Sequence, residues 1–141
     1  MEKTLAIIKP GAVKAGNAND IIDMIEDAGF DITRMEKITI SKSQAEELYV
    51  EHKAKPFFGE MVTSMTSAPV VVMVLAKQNA VQAWRDLMGA TDPSKANAGT
   101  IRALYGKSIG ENAVHGSDSL TSAERECEIF FPRKNRSCCA H

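Results

Sequence analysis

The segment Asn112-Ala-Val-His115-Gly-Ser-Asp118 holds a group that can act as a nucleophile near neutral pH. An unperturbed imidazole titrates at about 6.5, so much of it is neutral there and has a free ring nitrogen. Gly116 permits backbone geometry that a side chain would block, and Ser117 adds a hydroxyl within local reach. The plainer reading is a surface-loop histidine followed by the Ser/Asp cap of a helix, and the segment alone does not decide. Three cations bear on the choice: Lys9 just after an apolar stretch, Arg85 beside Trp84, and Arg102 after Gly99-Thr100-Ile101. Singly, each reads as a solvated surface charge. Gathered from separate elements, they would be the charge-assisted donors that a phosphate group needs in a partly water-excluded place.

Other motifs carry less. Gly106-Lys107-Ser108 ends like a P-loop, but Ile101 occupies the position of the required first glycine and no buried strand precedes it. Cys138, Cys139 and His141 crowd three possible ligands into one terminus, an incomplete zinc set that reads better as tail. Cys127 reads as a small core hydrophobe. Three cysteines, two of them adjacent, make no disulfide framework and fit a reducing, cytoplasmic setting. The charge balance, 17 Lys+Arg against 18 Asp+Glu, argues against a surface built to coat nucleic acid or anionic lipid. Neither a signal peptide nor a run long enough to span a bilayer is expected.

The elements that must position these groups follow from periodicity. Thr4 to Ile8 reads as a strand stopped by a Lys9-Pro10-Gly11 turn. Ile21, Ile22, Ile25 and Ala28 recur at helical spacing, with Asn17 or Asn19 as cap and Gly29 as stop. Phe30 to Ile40 reads as a half-exposed strand. Ser43 and Glu46 have capping-box spacing ahead of Ala45, Leu48 and Tyr49, and Phe57 to Met65 continues as the second arm of a helical hairpin. Pro69 to Leu75 reads as a strand buried on both faces. Asn79 would cap a helix with Ala80, Val81, Trp84, Leu87 and Met88 on one face. The polar stretch Gly89–Gly99 is long enough for a functional loop. Thr121 and Glu124 mark a short final helix, and Glu128 to Phe131 would close the sheet as its last strand. The resulting βαββαβ order predicts an α+β, ferredoxin-like fold: a four-stranded antiparallel sheet with helices on one face. One domain over 1–141 is expected, with a core of about 4–131 and a polar tail over 132–141.

Five ordered blocks resemble the nucleoside diphosphate kinase family: Thr4 to Pro10, His52 with Pro56-Phe57-Phe58, Arg85 to Pro93, Ala98 to Arg102, and Asn112 to Ser119. The resemblance runs from roughly Thr4 to Phe131. It implies phosphoryl relay by a ping-pong mechanism, from a nucleoside triphosphate such as ATP to a nucleoside diphosphate through phosphorylated His115. By the same resemblance Glu126 orients the imidazole, Ser117 assists, and Tyr49 lies near the transferred group. Lys9 and Asn112 would hold the ribose hydroxyls, with Lys9 also near the phosphoryl group. Arg85, Thr91 and Arg102 would grip phosphates with Mg²⁺, His52 would lie close by, and Phe57 and Ile109 would enclose the base. The Mg²⁺ would be carried mainly by the nucleotide phosphates. A homo-oligomer is implied, and the short segment after Phe131 tilts the expectation to a tetramer over a hexamer. Gly11, Ala68 and Leu104 depart from residues the family usually has, but none belongs to the implied site.

Three functions compete on these residues. A nucleotide kinase predicts a phosphoenzyme discharged by a nucleoside diphosphate. A protein-histidine phosphotransfer domain would use the same His115 with a macromolecular acceptor. A non-catalytic interaction module need not retain Lys9, Arg85, Arg102, Asn112, His115 and Glu126 together, and their presence favours an enzyme.

Overall fold

The computed structural model describes residues 1–132. Cys138, Cys139 and His141 therefore lie outside the described residues. The central strand β3 (Val70–Lys77) pairs antiparallel with β1 (Glu2–Ile8) on one side and β2 (Asp31–Ile38) on the other. The short β4 (Val114–Gly116) adds to the free side of β1, so the sheet order is β2-β3-β1-β4. This is the four-stranded antiparallel ferredoxin-like arrangement, made by two βαβ crossovers.

Strand side chains alternate between faces, and β3 is apolar on both. Val71, Met73 and Leu75 join one core with Ala6 and Ile8, whereas Val70, Val72 and Val74 join a second with Leu5 and Ile7. The first core is closed by the crossover helices α2 (Ala18–Asp27) and α5 (Ala80–Met88), with α1 (Pro10–Lys14) ahead of them. Ile21 and Ile25, four residues apart, lie fully buried on α2, and Trp84 on α5 meets Phe30 edge to face at 6.3 Å. The expected one-faced helical layer is this crossover pair. The opposite face is covered as well, by α3 (Lys42–Leu48), α4 (Phe58–Thr66) and α7 (Leu120–Phe130).

Several local expectations change. Glu128–Phe131 is not a strand: Cys127 and Phe130, three residues apart on α7, are buried against the second core, and β4 closes the sheet instead. The capping box of α3 is Ser41 with Gln44, each side chain bonding the other's backbone N–H, rather than Ser43 with Glu46. The cap of α7 is Ser119, whose hydroxyl accepts from Ser122 N–H at 3.1 Å, rather than Thr121. Pro10 opens α1 at a position where its missing N–H costs nothing, so the turn after β1 is helical. Asn17 and Asn79 occupy N-cap positions without side-chain cap bonds; Asn79 instead takes the left-handed conformation at φ 56°. The Gly89–Gly99 stretch contains a 3-10 turn at Pro93–Lys95 and leads into α6 (Ile101–Tyr105).

Candidate active site

His115 is the middle residue of β4 and stands directly opposite Ile7 of β1. Opposed residues share a face, so the imidazole points to the side covered by α3 and α7 while Val114 points into the other core. Two backbone features fix this strand. Ala113 enters it with φ 75°, a left-handed conformation that a residue with a Cβ rarely holds, and its carbonyl accepts from Lys9 N–H at 2.8 Å. Gly116 leaves it where a Cβ would collide with Trp84 Nε1 and Met88 Cε. Trp84 in turn donates from Nε1 to the His115 carbonyl at 3.3 Å. Its size and helical spacing signalled a core residue; nothing in the sequence marked its hold on the His115 backbone.

The imidazole is held on its Nε2 side. Nε2–H donates to Glu126 Oε1 at 2.9 Å, and the buried Ser117 hydroxyl donates to the same oxygen at 3.0 Å. An acceptor at Nε2 favours the tautomer protonated there, which leaves the lone pair on Nδ1. Glu126 comes from α7, about two turns past the Ser119 cap, and its side chain is 6% exposed against 16% for His115. The Tyr49 ring, at the end of α3, stands edge-on to the imidazole at 5.8 Å. Burial and the Glu126 carboxylate push its phenol well above the usual range, with Arg102 opposing, so it remains a neutral donor.

The predicted cations converge on the same region from three elements. Arg102 on α6 is 8% exposed, not a solvated charge, and donates to the carbonyls of Gly89 at 3.0 Å and Val114 at 2.9 Å. Burial and the nearby Arg85 guanidinium bring it down to about 10, still charged at neutral pH. Lys9 follows β1 and donates to Asn112 Oδ1 at 2.7 Å; Asn112 Nδ2 donates to Thr91 O at 3.1 Å. Burial and Arg102 pull the Lys9 ammonium down to about 8. Arg85 on α5 reaches the Asp118 carbonyl at 3.5 Å. Arg102 therefore lies against like charge on two sides, Lys9 and Arg85, an arrangement that an anion would relieve.

Beyond Tyr49 the chain makes a 3-10 turn, Val50–His52, before α4. The His52 ring is 6.5 Å from Tyr49 and 6.5 Å from Phe57, and its buried Nδ1 has no hydrogen-bond partner among the described residues. Phe57 is 46% exposed with Lys55 Nζ 5.6 Å from its centroid, so it does not belong to the core. Ile109 is 60% exposed.

Known proteins share both sequence and fold. The nucleoside diphosphate kinase family model matches residues 2–136. Among relatives, the nucleoside diphosphate kinase of Bdellovibrio bacteriovorus is 51% identical over 133 residues, covering 94% of each chain. That of Campylobacter jejuni subsp. jejuni is 54% identical over 138 residues, covering 98% of this chain and 100% of the relative. Solved nucleoside diphosphate kinases superpose closely. That of Encephalitozoon cuniculi has a TM-score of 0.91 at 37% identity, covering 94% of this chain and 90% of its own. That of Halobacterium salinarum, in complex with CDP, has a TM-score of 0.89 at 40% identity over 92% and 87%. The family match and the relatives define a phosphotransferase, and the superposed structures its ferredoxin-like class. The chain belongs to the nucleoside diphosphate kinase family.

Proposed function

We propose that this protein transfers the γ-phosphoryl group of a nucleoside triphosphate to a nucleoside diphosphate, with His115 as the covalent relay. Nδ1 attacks the γ-phosphorus, an N–P bond forms, and the P–O bond to the β-phosphate breaks. The electron pair leaves on the diphosphate. A second nucleoside diphosphate then attacks the phosphohistidine with a terminal oxygen, the N–P bond breaks and its electron pair returns to Nδ1. The carrying observation is the 2.9 Å contact between His115 Nε2 and Glu126, which keeps the proton away from the attacking nitrogen.

The other residues position and stabilise, which is most of what phosphoryl transfer requires. Arg85, Arg102 and Thr91 hold the phosphates, and Lys9 with Asn112 holds the ribose hydroxyls, Lys9 also meeting the transferred group. Among the described residues no three His, Cys, Asp or Glu side chains gather around a common point. The donor set is cationic and amide, which fits a nucleotide that brings Mg²⁺ on its own phosphates and neutralises the remaining charge on the protein. Tyr49 and His52 line the phosphate end. Phe57 offers a face to the base and Ile109 the opposite wall; stacking accepts every base, so base selectivity is low. Because donor and acceptor use one site in turn, the kinetics are ping-pong.

The assembly is proposed to be a homo-oligomer. Among the described residues β2 is an edge strand of the sheet and Met35 on it is exposed, a surface that partners commonly cover. Among the described residues no helix is long and apolar enough to cross a membrane. Labelling with γ-labelled ATP tests the reaction: the label should enter wild-type protein, stay absent from His115→Ala, and leave on addition of GDP. Label that GDP cannot remove, but a protein acceptor can, would overturn the nucleotide reading in favour of protein phosphotransfer.

A further inference from the structure

The Glu126 carboxylate has two oxygens, and His115 and Ser117 account for only one. Both donors meet Oε1, at 2.9 and 3.0 Å. Oε2 faces the Arg125 guanidinium, with Nη2 at 3.5 Å. This same guanidinium donates from Nη1 to the Glu47 carbonyl at 2.7 Å, and its Nη2 lies 3.7 Å from Glu51 Oε1. Glu47 belongs to the last turn of α3, whose carbonyls favour a cation, and Glu51 to the following 3-10 turn. Between them stands Tyr49, the ring set edge-on against the imidazole. One side chain thus bridges the carboxylate behind His115 and the segment that walls it in front.

From this geometry we infer that Arg125 is a positioning residue for the His115 nucleophile: it holds the Glu126 carboxylate aimed at Nε2, and fixes the Tyr49 segment against the ring. A carboxylate that is 6% exposed needs partners on both oxygens to offset the hydration it has lost. Two donors on Oε1 leave Oε2 dependent on Arg125, the one cation paired with it among the described residues. The contact with Glu51 alone carries no such argument, since Glu51 is 55% exposed and such pairs contribute little. The distinguishing feature is the buried member. A carboxylate held in this way also acts through orientation, because two anchored oxygens fix the plane of the group and hence the direction of its bond to the imidazole.

The inference rests on His115 being the phosphoryl carrier, and its test separates the two. Arg125→Met, Arg125→Gln and Arg125→Lys are compared for the rate of phosphoenzyme formation at saturating ATP, for the ATP concentration giving half that rate, and for the ¹⁵N shifts of the His115 ring. Arg125→Met should slow formation by about tenfold as the ion pair behind the carboxylate is lost, while half-saturation moves less than the rate. Arg125→Lys should recover most of the rate by restoring charge. Arg125→Gln, which can still donate to the Glu47 carbonyl, should not. In Arg125→Met the ring nitrogens should report a mixture of tautomers in place of a predominant Nε2–H. A folded Arg125→Met protein with wild-type rate and tautomer would overturn the inference. Recovery by Gln equal to that by Lys would do so too, because it would reduce the residue to a helix cap. If Met does not fold, the Lys and Gln pair carries the comparison. If wild-type protein takes no label from ATP, the relay itself fails, and the ring-nitrogen shifts still decide whether Arg125 sets the imidazole.

Discussion

Arg102 donates from Nη2 to the carbonyl of Val114, the residue immediately before His115, while Nη1 holds the carbonyl of Gly89. The side chain proposed to grip phosphate is therefore also a pin between the Gly89 loop and the strand carrying the imidazole. Arg102→Met should lower unfolding free energy by about 2–4 kcal/mol, because two carbonyls lose charged donors in a buried place. Urea unfolding measures this. Arg102→Lys should fall between, since one ammonium lacks the planar fork that spans both carbonyls. Unchanged stability in the Met variant would mean that water replaces the guanidinium without loss.

Glu126→Gln should leave the fold intact and slow phosphoenzyme formation by roughly 10- to 100-fold, since the amide can still accept from Nε2–H but no longer stabilises positive charge developing on the ring. Single-turnover labelling gives the rate. A Gln variant as fast as wild type would show that orientation without charge is sufficient.

How far the sequence alone reached depends on the length of the signal. β3 was legible because seven apolar residues in a row need burial on both faces, and α2 and α5 because their stripes run for two turns or more. β4 was not: three residues show no alternation, and its strand character comes from pairing with β1. Ile129, Phe130 and Phe131 then competed as an apolar run for the last strand, although Cys127 and Phe130 already fit a helical face. The site was reached through the order of the five blocks rather than through local chemistry. Arg102 looked like a surface charge because its burial is created by Gly89 and Val114, residues 13 and 12 positions away.

Phe57→Ala should weaken adenine and guanine nucleotides by similar factors, with stability changed by less than about 0.5 kcal/mol, because the ring is 46% exposed and outside both cores. Competition binding with the two diphosphates makes the comparison. A loss confined to one base would replace stacking by specific readout.

Nucleotide affinity should decline as pH rises through about 8, where the free protein's Lys9 loses its proton. The effect on stability has the opposite sign. Lys9 titrates at about 8 when folded against 10.5 in the unfolded chain, so between these values the unfolded chain binds more protons. Unfolding free energy from this group therefore rises with pH across that window, as the folded state sheds a charge it holds unfavourably beside Arg102. Parallel titrations of diphosphate binding and urea midpoint from pH 7 to 10 should diverge for wild type, and Lys9→Met should flatten both contributions. Affinity that holds steady to pH 10 would mean that binding leaves the proton occupancy of Lys9 unchanged, so that its charge is not what holds the nucleotide.

Gly116→Ala tests whether the strand position of His115 is set from beneath. The added Cβ meets Trp84 Nε1 and Met88 Cε, and the indole has no free room because it packs against Phe30 and donates to the His115 carbonyl. Either β4 lifts or the end of α5 retreats, an overpacking that costs about 1–3 kcal/mol. Since His115 precedes Gly116, lifting the strand would also lengthen the 2.9 Å bond to Glu126, so labelling should slow together with the loss of stability. The second variant Gly116→Ala/Met88→Ala opens space on the Met side only. It should recover part of the labelling rate while stability stays low, because the missing methionine leaves a cavity. Labelling that stays slow in the double variant would assign the clash to the indole, which cannot shift without releasing the His115 carbonyl.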